Sequence, residues 1–86
     1  MPIEYSKSAA KSLQRMEKKL RTSIHEAIMG LTQSPPRGDI RPMQGHPAGR
    51  YRLRVGSYRV IYRYDCRGAV IVLCIIDIGT RGDIYK

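Results

Sequence analysis

Long hydrophobic segments are missing from this sequence. The longest apolar run, AVIVLCII at residues 69–76, has eight residues, whereas a helix that spans a bilayer needs about 20. The N-terminal stretch MPIEYSKSAAK also lacks the apolar segment of a signal peptide. We therefore expect no membrane association and a location in the cytoplasm.

Cysteine is scarce, and its two positions match no recognisable metal-binding or redox spacing. Cys66 lies in a predicted turn, where we expect it to be exposed. Cys74 lies within the apolar run, which favours a place in the hydrophobic core. Both residues fit a reducing compartment, and we expect neither a metal ion nor another cofactor.

Acidic residues are few, with 7 Asp and Glu against 16 Lys and Arg, which gives a formal net charge of +9. This imbalance predicts a polyanionic partner, either a nucleic acid, an anionic membrane surface or an acidic protein. Arginine outnumbers lysine by eleven to five. Because the planar guanidinium binds two phosphate oxygens at once, the composition favours nucleic acid. The alternative is a solvated basic surface that only aids solubility.

The chain of 86 residues is expected to form one domain, residues 1–86, because a chain this short builds a single modest core. Apolar residues between Ala9 and Leu31 recur at spacings of three and four, which indicates an amphipathic helix. One helix of that length is long for so small a domain. A bend near Glu17–Lys19 would give a helical hairpin, but no Gly or Pro marks the break.

Strand signals lie on both sides of the helical region. They are a short strand at 3–6, followed by Ser6 or Ser8 as a helix cap, and later strands at about 50–55, 58–65 and 69–78. The Pro- and Gly-rich segment 34–49 is predicted to be a loop. We therefore predict an α+β fold, in which an N-terminal strand and two helices pack on a mostly antiparallel sheet of about four strands.

Arginines alternate with apolar residues in GRYRLRVGSYRVIYRY, residues 49–64. Because side chains on a strand point to alternate faces, Arg52 and Arg54 share one face, and Arg59 and Arg63 share one face of the next strand. The apolar set must pack against the helices to form a core. The arginines then gather on the open face, where they repel one another unless they bind an anion, so the pattern predicts a phosphate-binding surface.

Arg81 and Tyr85 follow the last predicted strand. Arg81 comes after Gly79, so the chain can turn back toward the same face. A tyrosine beside a cationic cluster can stack on a base or move a proton. The alternative is that Tyr85 only packs at the edge of the sheet.

These motifs together resemble the RelE/ParE superfamily of toxins from toxin–antitoxin pairs. The resemblance rests on the helical first half, the loop with QGHPAG, the hairpin YRLRVGSYRVIY and the C-terminal GTR…IY, and it covers most of the chain. The hairpin is typical of the whole superfamily. The final arginine and tyrosine are similar to the RelE-type mRNA interferase branch, because ParE-type gyrase inhibitors generally lack the complete set.

The resemblance implies a RelE-like, microbial-RNase-like fold and an endoribonuclease that cleaves messenger RNA in the ribosomal A site without a metal. The ribose 2′-hydroxyl attacks the adjacent phosphate and leaves a 2′,3′-cyclic phosphate. By matched position, Arg52 and Arg54 lie near the attacking hydroxyl, and Arg59 steadies the scissile phosphate. Arg81 is matched to the residue that assists the leaving group, and Tyr85 to the one that stacks on or activates the substrate nucleotide.

One departure concerns the proton acceptor. Some RelE enzymes have lysine at the positions of Arg52 and Arg54, and lysine can be tuned toward a base, whereas arginine with a pKa above about 12 stays charged. General-base work then falls to Tyr85, to His46 in the loop, to water or to the substrate. The alternative for His46 is an ordinary loop residue.

The resemblance also implies partners in a bacterial or archaeal cytoplasm: the ribosome with its mRNA, and a RelB-like antitoxin that is acidic and partly disordered. Further RNA- or ribosome-binding residues are expected in the hairpin and the helical region. They are Arg50, Arg63, Lys7, Lys11, Arg15, Lys18, Lys19 and Arg21. For the helical residues, the alternative is an ordinary solvated face.

Two other functions remain open from the sequence. The first is a ParE-like toxin that inhibits DNA gyrase by binding it. The second is a non-catalytic RelE-like protein that only binds its antitoxin or RNA, which the arginines at the two lysine positions keep open.

Overall fold

A computed structural model describes residues 1–45 and 49–80 of the chain. The elements are β1 (Ile3–Tyr5), α1 (Lys7–Gln14), α2 (Lys18–Gly30), β2 (Asp39–Pro42), β3 (Tyr51–Val55), β4 (Tyr58–Arg67) and β5 (Val70–Thr80). The strands form one five-stranded sheet in the order β1-β5-β4-β3-β2. Only the pair of β1 and β5 is parallel among these described strands, because the two helices lie between those strands in the sequence.

The helical half is a hairpin of two helices, as one of the two sequence interpretations proposed. The Ser6 hydroxyl caps α1 by accepting a hydrogen bond from the Ala9 backbone N–H at 3.0 Å. The helix ends after Gln14, and α2 begins at Lys18 with Glu17 as its N-cap. In the described part of the chain, neither helix is long and apolar enough to cross a membrane.

The sheet has one strand more than the sequence predicted, because β2 lies inside the expected loop 34–49. Its single core-facing residue, Ile40, lies opposite Leu53 of β3. One apolar residue between polar neighbours gives too short an alternation to indicate a strand. Gly38 allows this strand to approach, since a Cβ at that position would lie 2.5 Å from Leu53 Cδ1.

The core lies between the two helices and one face of the sheet. It contains apolar residues from both helices and from β3, β4 and β5, all less than 3% exposed: Ala9, Ile24, Ile28, Leu31, Leu53, Val60, Tyr62, Leu73, Ile75 and Ile78. The alternation predicted for the first hairpin is confirmed on this side, because Tyr51, Val55, Tyr58 and Tyr64 also pack against this core. The opposite face of the sheet is therefore the one left for function.

Three tyrosines join the sheet to the end of α2. The rings of Tyr51 and Tyr62 are stacked with centroids 5.7 Å apart, and Tyr64 meets Tyr62 edge to face at the same distance. The Tyr64 hydroxyl donates a 2.7 Å hydrogen bond to the carbonyl of Leu31, which closes the C-terminal end of the helix over the sheet.

Replacing Tyr62 by phenylalanine is expected to make stability less sensitive to alkaline pH. Burial raises the pKa of the Tyr62 hydroxyl. The tyrosine hydroxyl in the unfolded chain therefore loses its proton at a lower pH than the buried Tyr62 hydroxyl does. The contribution of Tyr62 to the free energy of unfolding is complete below pH about 10. Above that pH it falls by at most about 1.4 kcal/mol per pH unit. Urea unfolding at pH about 8 and about 11 tests this, since the wild type should lose more stability than Tyr62→Phe. Equal losses would contradict the expectation.

Candidate nucleic-acid interface

Arginines from three neighbouring strands lie on the open face of the sheet. Residues that pair directly across antiparallel strands point to the same face, so the pairing of Leu53 with Val60 fixes the core face. The residues one position away therefore point outward. We call this surface the arginine face, and its arginines are Arg41, Arg50, Arg52, Arg54, Arg59 and Arg63.

The first row across the arginine face holds a pair of like charges from neighbouring strands. Arg54 of β3 lies directly opposite Arg59 of β4. Among the described residues, neither side chain forms an ion pair. The Arg59 guanidinium donates a 3.3 Å hydrogen bond to the carbonyl of Tyr58, which orients it along its own strand. Asp39 of β2 lies opposite Arg54 on its other side, whereas the residues directly opposite Arg59 are Arg54 and Gly79. This row therefore presents two guanidiniums without an ion pair among the described residues, which suits a phosphate group.

The second row has a buried apolar floor that the sequence analysis missed. Arg41 of β2 lies opposite Arg52, and Arg52 lies opposite Ile61 of β4. Ile61 is only 4% exposed and does not belong to the main core cluster, so it lies among the stems of the arginine face. Because Ile61 lies between Val60 and Tyr62, three consecutive apolar residues hide the alternation, and the sequence does not show that Ile61 points away from the core.

Asp39 lies near Arg52 in the second row. The Nη2 atom of Arg52 lies 3.7 Å from Oδ1 of Asp39, and the Arg52 side chain is 13% exposed. Asp39 is 51% exposed and forms no hydrogen bond to Arg52, so the contact is a long-range attraction on the solvent side of the Arg52 side chain. Neither Arg41 nor Asp39 was expected at the site, because both lie on β2, the strand that sequence patterns did not reveal.

A β-bulge in β5 changes which of its residues face outward. Ile61 pairs with Asp77 but Tyr62 pairs with Ile75, so β5 carries one extra residue at this point. Asp77 accepts hydrogen bonds from the Ser8 hydroxyl at 3.0 Å and from the Ile78 backbone N–H at 2.9 Å. The start of α1 is therefore tied to the edge of the arginine face.

The third row across the arginine face contains Arg63 and Cys74, so the prediction of Cys74 as a core residue is wrong. Cys74 pairs with Arg63 on one side and with Glu4 on the other, and it is partly exposed on the arginine face. A continuous apolar run conceals which residues of a strand point to which face. The expected exposure of Cys66 is confirmed, and both thiols are free.

The basic residues of the helical region do not join the arginine face. They are exposed and lie on or beside the helices that cover the opposite face of the sheet: Lys7, Lys11, Arg15, Lys18, Lys19 and Arg21. They form a separate basic surface, so any RNA contact there would be distinct from contacts on the sheet.

Three residues expected at the site lie outside the described residues: His46, Arg81 and Tyr85. Within residues 1–45 and 49–80, no group of three or more His, Cys, Asp or Glu side chains is placed to hold a metal ion. The described part of the arginine face offers guanidiniums, which bind and stabilise negative charge.

Replacing Arg41 by glutamine is expected to stabilise the protein at low ionic strength. Like charges directly opposite one another in a sheet destabilise it by about 0.2–1 kcal/mol, and the substitution removes the repulsion from Arg52, which lies directly opposite Arg41 on β3. At about 1 M salt the Debye length is about 3 Å, so the gain should disappear. Urea midpoints at low and high NaCl test this expectation, and a gain that is independent of salt would contradict it.

Comparison with known proteins identifies the family. A family model for the ParE toxin of type II toxin–antitoxin systems, parDE, matches residues 3–85. The chain belongs to the RelE/ParE toxin superfamily. The superfamily predicted from the sequence motifs is thereby confirmed, and the protein is the toxin of a type II toxin–antitoxin system.

Similar toxins come from both bacteria and archaea. Toxin RelG of Mycobacterium tuberculosis is 25% identical over 84 residues, covering 98% of this chain and 94% of RelG. A YoeB/ParE toxin from Agrobacterium tumefaciens superimposes with a TM-score of 0.80 at 22% identity, covering 94% of this chain and 99% of that chain. The RelB–RelE antitoxin–toxin complex from Methanococcus jannaschii contains a chain that superimposes with a TM-score of 0.68 at 24% identity, covering 95% of this chain and 94% of that chain.

The structural matches confirm the predicted α+β, RelE-like fold of this toxin. Two of the matched structures, from M. jannaschii and E. coli, are complexes of RelE with the antitoxin RelB. At these identities the likeness concerns the fold.

Proposed function

We propose that this toxin is a ribosome-dependent endoribonuclease that cleaves mRNA in the ribosomal A site. The observation that supports this most strongly is the arrangement of the arginine face. Arg54 and Arg59 lie directly opposite each other beside Arg52, whose guanidinium lies 3.7 Å from the Asp39 carboxylate. Three guanidiniums on rigid, paired strands are a suitable site for the extra negative charge of a phosphoryl-transfer transition state.

The proposed reaction is an internal transfer of the phosphoryl group. The ribose 2′-oxygen loses its proton and forms a bond to phosphorus, while the bond from phosphorus to the 5′-oxygen breaks and that oxygen gains a proton. The products are a 2′,3′-cyclic phosphate and a 5′-hydroxyl. The phosphorane between them carries two negative charges, and fixed guanidiniums stabilise it more than they stabilise the singly charged diester.

Each residue has a separate role in this proposal. Arg59 steadies the scissile phosphate, and Arg52 and Arg54 lie near the attacking hydroxyl. Arg81 assists the leaving group, and Tyr85 stacks on or activates the substrate nucleotide. Because arginine stays protonated, the proton of the 2′-hydroxyl goes to Tyr85, to His46, to water or to the substrate.

The proposed partners follow from the charge of the site and from the family. The ribosome and its mRNA are the substrate complex, so the proposed location is the cytoplasm. A RelB-like antitoxin, acidic and partly disordered, would neutralise the arginine face by covering it. The separate basic surface of the helical region is available for ribosomal RNA, since phosphate contacts supply most non-specific affinity.

A purified translation system tests the proposal directly. Ribosomes stalled with a defined codon in the A site should show a cut in the message after addition of the toxin, and naked mRNA should be cut far more slowly. An intact message on ribosomes that the toxin has bound would reject cleavage and favour the non-catalytic binder.

A second candidate, inhibition of DNA gyrase, is supported by the match to the ParE family model. In that case growth arrest would come with filamentation and DNA damage, and gyrase supercoiling would be inhibited in vitro. Rapid loss of translation with cut transcripts would favour the endoribonuclease. The two outcomes are distinct, so one induction experiment with both readouts decides between them.

A further inference from the structure

A separate pocket lies at the third row of the arginine face. Its volume is about 300 Å³, and the polar side chains that line it are those of Glu4, Ser6, Arg50, Arg63, Arg67 and Cys74. Arg50 immediately precedes Tyr51, which pairs with Tyr62, so Arg50 lies beside Arg63 across the strands. Two arginines from neighbouring segments therefore line this pocket.

The third row lies at a regular distance from the proposed cleavage site. Arg52 and Arg54 lie at alternate positions of β3, with Arg50 just before its first residue, and Arg59, Ile61 and Arg63 lie at alternate positions of β4. Successive residues on one face of a strand are about 6.8 Å apart. This spacing is of the same order as that of successive phosphates along an extended nucleic acid strand. The arginine face thus repeats its cationic groups in step with a nucleic acid backbone.

The carboxylate at the pocket is already neutralised. Arg67 donates hydrogen bonds from both Nη1 and Nη2 to Glu4, the second at 2.8 Å, and a third from Nε to Asp65 at 3.1 Å. These bonds lower the pKa of Glu4, so it stays a carboxylate that Arg67 holds. Neither Arg50 nor Arg63 forms an ion pair with another described residue. The pocket therefore keeps two guanidiniums for an outside anion.

We propose that the pocket between Arg50 and Arg63 is a second phosphate subsite, which binds a backbone phosphate two linkages away from the one that is cleaved. This inference rests on the proposed endoribonuclease function and extends it to an RNA strand held at two points on one rigid sheet. Such a strand is fixed in register, so the reacting linkage is oriented over the first and second rows.

Binding of short oligoribonucleotides tests the subsite without relying on cleavage. A 2′-O-methyl dinucleotide has one linking phosphate, and a 2′-O-methyl tetranucleotide has three, and neither can be cut by 2′-oxygen attack. We expect Arg50→Gln and Arg63→Gln each to lower the affinity for the tetranucleotide about tenfold, which corresponds to the loss of one charge-assisted hydrogen bond. The affinity for the dinucleotide should change less than twofold. Arg37→Gln, which removes the same charge from an exposed loop, should leave both affinities near wild type.

The two cysteines supply a second, independent readout. Cys74 lies in the pocket, and Cys66 lies outside it near the end of β4. Bound tetranucleotide should slow the alkylation of Cys74 by N-ethylmaleimide in the wild type and leave the rate at Cys66 unchanged. The dinucleotide should not protect Cys74, and neither should the tetranucleotide in the Arg63→Gln protein.

The outcomes separate this inference from the proposed function. Equal losses of tetranucleotide affinity in Arg37→Gln and Arg63→Gln, no protection of Cys74, or no binding of either oligonucleotide would overturn the subsite. Cleavage of ribosome-bound mRNA by the wild type would still support the nuclease in each of those cases. Pocket-dependent binding without any cleavage would instead keep the subsite as an RNA-binding site and reject the nuclease.

Discussion

Replacing Arg59 by glutamine should lower the rate of mRNA cleavage on the ribosome by about 10²–10³, the usual loss when one fixed donor to a transition-state oxyanion is removed. Arg59 has a neighbouring guanidinium directly opposite it, from Arg54, and no ion pair with another described residue. Its guanidinium donates one hydrogen bond to the carbonyl of Tyr58, and no described carboxylate neutralises its charge, so that charge can stabilise a bound phosphate. Glutamine keeps much of the side-chain length and its hydrogen-bonding ability, so the substitution removes the charge.

The matched control for Arg59→Gln is Arg37→Gln, an equal change of charge at an exposed loop residue that is not one of the arginines of the arginine face. Single-turnover cleavage should be unchanged in the control, and both variants should unfold at a urea concentration close to that of the wild type. Induced expression in cells checks two residues outside the described part of the chain, since Arg81→Ala and Tyr85→Phe should relieve the growth arrest that the wild type causes. Full cleavage activity of Arg59→Gln would show that Arg59 does not stabilise the transition state.

Replacing Leu53 by alanine should lower the free energy of unfolding by about 2–5 kcal/mol, a large part of the stability of a small domain. Leu53 is 1% exposed and lies opposite Ile40 on one side and Val60 on the other. It is also the residue between Arg52 and Arg54, with its side chain on the core face. The cavity would weaken the contact of β2 and β4 with β3, and the arginines would lose their rigid support.

Urea unfolding followed by circular dichroism measures this loss. Leu53→Ala should lose toxicity in cells because it unfolds, whereas Arg59→Gln should lose toxicity and stay folded. Leu53→Ile is the conservative control, which keeps the volume and should cost less than about 1.5 kcal/mol. A loss below about 1 kcal/mol for Leu53→Ala would contradict the position of Leu53 in a close-packed core.

The hairpin that carries most of the arginine face could be predicted from the sequence because its pattern is local. Arginines alternate with apolar residues on both sides of Gly56, and Gly56 has the positive φ of 60° that a tight turn of this kind uses. A period of two, joined by such a turn, fixes both register and facing. The placement of Arg52 and Arg54 on the face opposite the helices follows directly.

The parts that sequence reasoning missed depend on contacts between distant segments. β2 has one core residue, Ile40, and becomes a strand only through its pairing with β3. Arg41 and Asp39 lie on the same strand, so their places at the site could not be predicted either. Cys74 points to the outer face because the pairing of β5 with β4 decides which residues of this apolar strand point to which face. A uniformly apolar run contains no alternation from which that direction could be predicted.

The end groups of the cut message test the central claim most directly. If the arginine face stabilises a phosphorane formed by the 2′-oxygen, the wild-type toxin on stalled ribosomes should produce an upstream fragment that ends in a 2′,3′-cyclic phosphate and a downstream fragment that begins with a 5′-hydroxyl. An uncut message, or fragments that carry a 3′-hydroxyl and a 5′-phosphate, would contradict it.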